Sequence, residues 1–248
     1  MKIKSTRVYV TGNFIPCVLD IEGKTIKQIL PYDTEADVDY KDLRIVPGFI
    51  DIHCHGAYGY DTNDGEPEGL KNWTKNIVQE GVVGLLSTTL TQYKSVLMKA
   101  VKNVADVVKE DDYEGARILG IHFEGPYLDM KWKGAQPPEA IVSPSVEEFK
   151  EYQEAADNLI KIITMAPEHD PEFALTRYAS QHGTIVSIGH SNATFQEAMM
   201  AVANGASSVT HTYNAQTPFT HRANGIVGLA FRFHDMYSEV ICDCNHST

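Results

Sequence analysis

No stretch of the 248-residue chain approaches the roughly 18 to 20 consecutive apolar residues of a membrane span. Its opening, "MKIKSTRVYV", has neither the apolar core nor the cleavage site of a signal peptide. The expectation is a cytoplasmic protein with no membrane partner. Basic residues are also short, 21 against 33 acidic ones, for a formal net charge of −12. That balance argues against nucleic acid or anionic membranes as partners, and it means an anionic substrate would need local cations. The four cysteines, Cys17, Cys54, Cys242 and Cys244, follow no framework spacing, and "CDC" lacks the two-residue gap of a zinc knuckle or redox motif. The two cysteines of that pair read as packing residues, and all four suit a reducing compartment. No G-x-G-x-x-G or G-x-x-x-x-G-K-[ST] opens a helix, so the usual phosphate-binding loops of doubly wound nucleotide binders are excluded. Disorder is excluded too, with 43% of residues hydrophobic and 22% charged.

What the sequence does hold is 10 histidines and a repeated texture. Residues 1–46 carry short alternating runs, "TRVYVTG" and "IPCVLDIEGKTIKQIL", with a hairpin turn expected at Glu22-Gly23. They predict a small, incomplete β module that needs packing on the rest of the chain, or further strands, to bury much apolar surface. Over 47–248 the pattern becomes a β-branched run, a polar tip and a stretch of helical periodicity. Seven such runs occur: "RIVPGFIDIHCH", "GVVGLLSTTL", "ARILGIHFEGP", "LIKIITMAPE", "GTIVSIGHSN", "ASSVTHTYNA" and "YSEVICDCNHS". Helices are predicted near 68–80, 92–109, 146–156, 171–181 and 194–204. The last opens with "TFQE", where Thr194 serves as N-cap and Glu197 completes a capping box.

Apolar strands alternating with helices define an α/β fold with a parallel sheet covered on both faces. The polar residues gather at the strands' C-terminal tips, which selects a (β/α)8 TIM-type barrel, here with about seven strands. The tips carry His53 and His55, then Glu124, Glu168 with His169, His190, His211, and Asp243 with His246. In "PGFIDIHCHG" the i, i+2 spacing puts both imidazoles on one face of a strand, a chelating arrangement. Imidazoles and carboxylates without thiolates suit a borderline divalent metal, zinc or iron. Bound there, such an ion would acidify a water and polarise a carbonyl. Arg222 beside His221 by itself reads as an exposed loop arginine, although its bidentate form suits an anion.

Four segments, "PGFIDIHCHG", "GIHFEGPYL" with "KGAQPPE", "SIGHSNATFQEA" and "THTYNAQTPFTHRANGIVG", resemble in order the N-acetylglucosamine-6-phosphate deacetylases of the amidohydrolase superfamily. The resemblance implies a metal-dependent hydrolase barrel with one or two ions. Glu124, His190 and His211 match the family's main metal ligands, and His53 and His55 match an H-x-H pair that helps hold a second metal in members retaining it. Ala135, Gln136, Asn214, Ala215, His221, Arg222 and His246 fall at substrate-binding positions. Arg222 resembles an arginine that reaches the sugar phosphate, usually in the neighbouring subunit, so a homodimer and a phosphorylated amino-sugar substrate are expected.

The resemblance has gaps. It implies a general base, an aspartate at the tip of an eighth strand, which would lie beyond Thr248; the catalytic residue is therefore unassigned and the activity of this chain open. Seven runs likewise leave a closed barrel one strand short. The family's "DGxH" reads "DCNH", with Cys244 for a glycine, and "HRxPG" reads "HRANG". Two other readings stand beside the deacetylase: another amidohydrolase acting on an N-acyl or cyclic amide, and a non-catalytic metal-binding fragment.

Overall fold

The computed structural model describes residues 1–246 and divides into two compact units, Met1–Phe49 and a second beginning at Ile50. In the first, β1 (Lys2–Val10), β2 (Asn13–Glu22), β3 (Thr25–Pro31) and β4 (Val38–Asp39) form a sheet in the order β3-β2-β1-β4, with β5 (Arg44–Ile45) also on β1. The β2/β3 hairpin closes where expected: Glu22 pairs with Thr25, and Gly23 takes the left-handed φ of 61° that the turn demands. The fully buried core is small, Val8, Cys17 and Leu19. Cys17 is thus a packing residue, whereas Cys242 and Cys244, expected to pack, are exposed.

In the second unit, seven strands stand in chain order: β6 (Phe49–Cys54), β7 (Val82–Thr89), β8 (Arg117–Glu124), β9 (Ile160–Met165), β10 (Ile185–Ile188), β11 (Ala206–Val209) and β12 (Tyr237–Ser238). From β7 onward every neighbouring pair is parallel. Each of the seven expected runs contains one of these strands. The first run is split, because Pro47-Gly48 separates Arg44–Ile45, which joins the N-terminal sheet, from β6. Proline cannot donate to a ladder, so a break there is natural.

The sheet is curled. Six interstrand steps of about 4.8 Å would hold the edges of a flat sheet about 29 Å apart, yet His53 Nδ1 on β6 lies 2.8 Å from Oε2 of Glu239, the residue after β12. Alternation along the strands sorts the two surfaces. Phe123 faces the helical layer, its ring centroid 4.8 Å from Tyr152 and 6.4 Å from Phe149. His122 and Glu124, one residue to either side, face the concave interior. Thr164, Ser187 and Thr210 do the same, while Ile163, Met165, Val186, Ile188 and Val209 join the apolar core with Leu70 and Trp73.

The outer helices are α1 (Pro67–Ile77), α2 (Lys94–Glu110), α3 (Val146–Ala155), α4 (Ala174–Gln181), α5 (Phe195–Ala203) and α6 (Gly225–Arg232). The first five answer to the predicted helices. However, α4 begins at 174 rather than 171, since Glu172 and Phe173 are left-handed and the Asp170 carboxylate accepts from the amides of Leu175 and Thr176. Sequence reading does not foresee α6, which contains two poor helix formers, Gly225 and Gly228. Both are needed there: a Cβ on Gly225 would collide with Thr217 O, and one on Gly228 would come 2.6 Å from the Asn224 Cβ. Among the described residues no helix is long and apolar enough to cross a membrane.

The expected capping box is present: Glu197 N donates to Thr194 Oγ1 at 3.2 Å, and Thr194 N donates to the Glu197 carboxylate at 2.7 Å. Thr194→Ala removes one half and should destabilise the chain by about 1 kcal/mol, read as a lower urea midpoint at unchanged slope. An unchanged midpoint would mean the box is energetically idle.

Candidate metal centre

The strand tips bring Glu124 to the middle of a histidine cluster. It is the last residue of β8, and its side chain is 1% exposed. Nε2 atoms of His53, His190 and His211 lie 3.3, 3.3 and 3.4 Å from its Oε1, and His55 Nε2 lies 3.5 Å from Oε2. The five expected metal-ligand positions are therefore contiguous. They form two overlapping groups that could hold a metal ion, Glu124–His190–His211 and His53–His55–Glu124.

The backbone decides which ring nitrogens face the centre. His190 Nδ1 is 2.9 Å from Trp132 O, and His211 Nδ1 is 3.1 Å from Asn214 O. A carbonyl oxygen only accepts, so each Nδ1 carries the hydrogen and each neutral ring presents an Nε2 lone pair inward. Those two Nε2 atoms are 3.1 Å apart. Lone pairs at that distance, beside a carboxylate oxygen with no hydrogen-bond partner of its own, repel one another unless a cation or protons lie between them. A divalent ion fits this donor set, which contains imidazole and carboxylate and no thiolate. The backbones of these two residues are held in left-handed conformations, φ 48° at His190 and 30° at His211, a strain that persists only where the surroundings enforce it.

Protonation in the absence of a cation follows the same geometry. Burial would lower His53, but the carboxylates of Glu124 and Glu239 beside it overrule that and push it up to about 10. Burial would raise Glu124, yet the imidazoles of His190, His211 and His53 around it hold it well below the usual carboxylate range. Burial pulls His55 down against the attraction of Glu124. Fully buried His122 is pulled to about 4 by desolvation. It stands behind His53, ring centroids 4.5 Å apart, and both of its nitrogens are occupied, by Ile52 O and by Thr164 Oγ1.

The residues read as substrate-binding fall into two sets. Gln136 is buried, donates to Glu124 Oε2 at 2.5 Å and accepts from Thr91 N at 2.7 Å, so its side chain fixes Glu124. Asn214 and Ala215 follow His211, with the Asn214 carbonyl holding that ring and Ala215 O accepting from Ser191 N. Ala135, His221, Arg222 and His246 are exposed. Among the described residues no carboxylate pairs with Arg222, whereas His246 Nδ1 lies 2.7 Å from Asp243. Cys244 adopts φ 62°, a left-handed position that glycine takes without strain.

The remaining tip residues stand apart. His169 Nε2 is 2.8 Å from Asp129 Oδ2, while Glu168 accepts from Ser191 Oγ and Asn192 N. Asp129 N in turn donates to His190 O, so this group braces the loops beside the centre. Sequence reading missed Glu239, partly buried just past β12 with Oε2 on His53. The available signal was a lone carboxylate inside the apolar run "YSEVIC", which needs a partner if buried.

No protein-family model matches the chain. The N-acetylglucosamine-6-phosphate deacetylase of Bacillus subtilis (strain 168) is 40% identical over 219 residues, 88% of this chain and 55% of that protein. The N-acetylgalactosamine-6-phosphate deacetylase of Escherichia coli O157:H7 is 32% identical over 213 residues, 86% of this chain and 55% of that one. Among solved structures, a mutant N-acetyl-D-glucosamine-6-phosphate deacetylase from Mycobacterium smegmatis, in complex with N-acetyl-D-glucosamine-6-phosphate, superposes with a TM-score of 0.93 at 25% identity, covering 100% of this chain and 65% of that one. The chain spans about half the length of the curated relatives it matches. With seven barrel strands in order and the motif residues at their tips, these likenesses make the chain a homologue of the N-acetylglucosamine-6-phosphate deacetylases.

Proposed function

We propose that the chain serves the hydrolysis of the N-acetyl amide of N-acetylglucosamine 6-phosphate to glucosamine 6-phosphate and acetate, at a divalent metal centre. Glu124, His190 and His211 would hold the ion, zinc or iron, with His53 and His55 at a second position. The observation that carries this reading is the convergence of carbonyl-fixed Nε2 lone pairs on an unpartnered carboxylate oxygen. The names of the relatives and the sugar phosphate bound to the mycobacterial protein support the substrate class.

A divalent ion in this position supplies an acidified water and a polarised carbonyl. The chain's own contribution is rigidity. Gln136 stops the Glu124 carboxylate from swinging, and the carbonyls of Trp132 and Asn214 fix two rings before any ligand arrives. The exposed loop with His221 presents the Arg222 guanidinium for the phosphate; as part of the proposal, Arg222 serves the neighbouring site of a homodimer. A cytoplasmic setting belongs to the same reading, since all four cysteines are free.

The proton-moving carboxylate is not apparent among the described residues. Glu124 is enclosed by imidazoles, Glu239 is tied to His53, and Asp243 is turned to His246. We therefore expect the 248-residue chain to bind the ion and turn over poorly, with acetate release as the measurement. Rapid turnover would assign the base to one of these three. Glu124→Gln should lower metal content at least about 100-fold in affinity, measured by elemental analysis after dialysis against a chelator; full metal retention would sink the assignment.

Arg222→Ala should weaken binding of the phosphorylated sugar by about 1.5–3 kcal/mol, read by calorimetry, and leave the unphosphorylated sugar nearly unaffected. Equal losses on both would remove Arg222 from phosphate recognition. Because His53 holds a proton up to about pH 10 without a cation, a cation taking its Nε2 must expel that proton. Affinity at the His53 position should then rise about tenfold per pH unit between 7 and 10. A titration in weak buffer reads the released proton directly, and metal uptake without release would contradict the assignment.

A further inference from the structure

Within that metal-centre reading, we propose that Glu239 is the positioning residue for His53 and thereby sets occupancy of the His53/His55 half of the centre. The carboxylate is well placed to do so. Its backbone is pinned to the neighbouring strand tip from both sides: Glu239 N donates to Val209 O at 2.9 Å, and Thr212 N donates to Glu239 O at 2.7 Å. Its side chain is 10% exposed, and Oε2 lies 2.8 Å from His53 Nδ1 and accepts from His211 N at 3.4 Å. One carboxylate oxygen thus joins the segments carrying two of the five proposed ligands.

The chemistry of the contact selects a tautomer. An ionised carboxylate only accepts, so the His53 hydrogen stays on Nδ1 and Nε2 turns to Glu124 Oε1, 3.3 Å away. His122 braces the same strand from behind, through its Nδ1 contact with Ile52 O at 2.8 Å. His55 has no counterpart to Glu239, since its buried Nδ1 lacks any partner. The two halves of the centre are therefore fixed by different means. Backbone carbonyls orient His190 and His211, whereas a single side chain from just past β12 orients His53 on β6, an edge strand of the sheet. Carboxylate partners of this kind typically change metal affinity by about 10–100-fold when removed.

The test titrates the metal-free chain with zinc(II) against a chromophoric chelator, alongside NMR of the His53 ring nitrogens. The wild type should show two classes of site. Glu239→Ala should weaken one class by about 10–100-fold, leave the other unchanged, and abolish the hydrogen-bonded Nδ1–H resonance of His53. Glu239→Gln keeps an oxygen that accepts from Nδ1 and should recover most of the affinity and that resonance. His53→Ala should reproduce the loss seen in Glu239→Ala. The proposal falls if Glu239→Ala titrates like the wild type, or if it loses both classes alike while circular dichroism shows a native fold. Absence of zinc uptake by the wild type would instead overturn the metal-centre reading. The ring nitrogens would then decide the positioning role alone, with an unchanged His53 Nδ1–H resonance in Glu239→Ala rejecting it.

Discussion

A carboxylate withdrawn almost completely from water must be offset by positive charge or by donors, and Glu124 has one amide donor and four surrounding imidazoles that offset it once a cation or protons lie between them. The surrounding fold can be understood from that requirement. Strand β8 ends at Glu124, the histidines lie on β6 or just beyond β6, β10 and β11, and the loop after β8 turns Gln136 back onto the same carboxylate. Removing the acid would leave a knot of imidazoles without a counter-charge; removing the imidazoles would leave a buried anion.

The curl of the sheet lets residues far apart in sequence meet these needs. His53 and Glu239 are 186 positions apart and follow or lie on opposite edge strands, yet they touch. Below them, a file of buried hydroxyls runs from Ser187 through Thr210 to Thr164 and on to His122, with contacts of 2.6 to 2.7 Å. The interior is thus a polar column sealed by apolar residues on the other face of each strand. A fold that places alternate residues on opposite surfaces produces this division from ordinary strand geometry.

Much of this was legible in the sequence because it depends on local periodicity. The β-branched runs with polar ends located all seven strands, and the i, i+2 spacing of His53 and His55 put both rings beside Glu124. The Thr194–Glu197 capping box is local and was read directly. The features that escaped depend on tertiary contacts. Nothing near Glu239 names a partner on the first barrel strand, and nothing near Gln136 shows that its amide faces Glu124 rather than a substrate. Helix α6 was hidden by Gly225 and Gly228, whose missing side chains serve close approach to Thr217 and Asn224. The first expected strand run concealed two strands of two sheets, because proline marks a break without saying where each piece pairs.

The most direct test of the account is anomalous diffraction at the zinc edge from crystals of the chain grown with zinc(II). The account predicts a peak about 2.0–2.2 Å from Nε2 of His190, Nε2 of His211 and a Glu124 oxygen, with any second peak beside His53 and His55. Crystals with no peak there, their imidazoles still gathered around Glu124, would contradict it, as would zinc seated only on Asp129, Glu168 and His169.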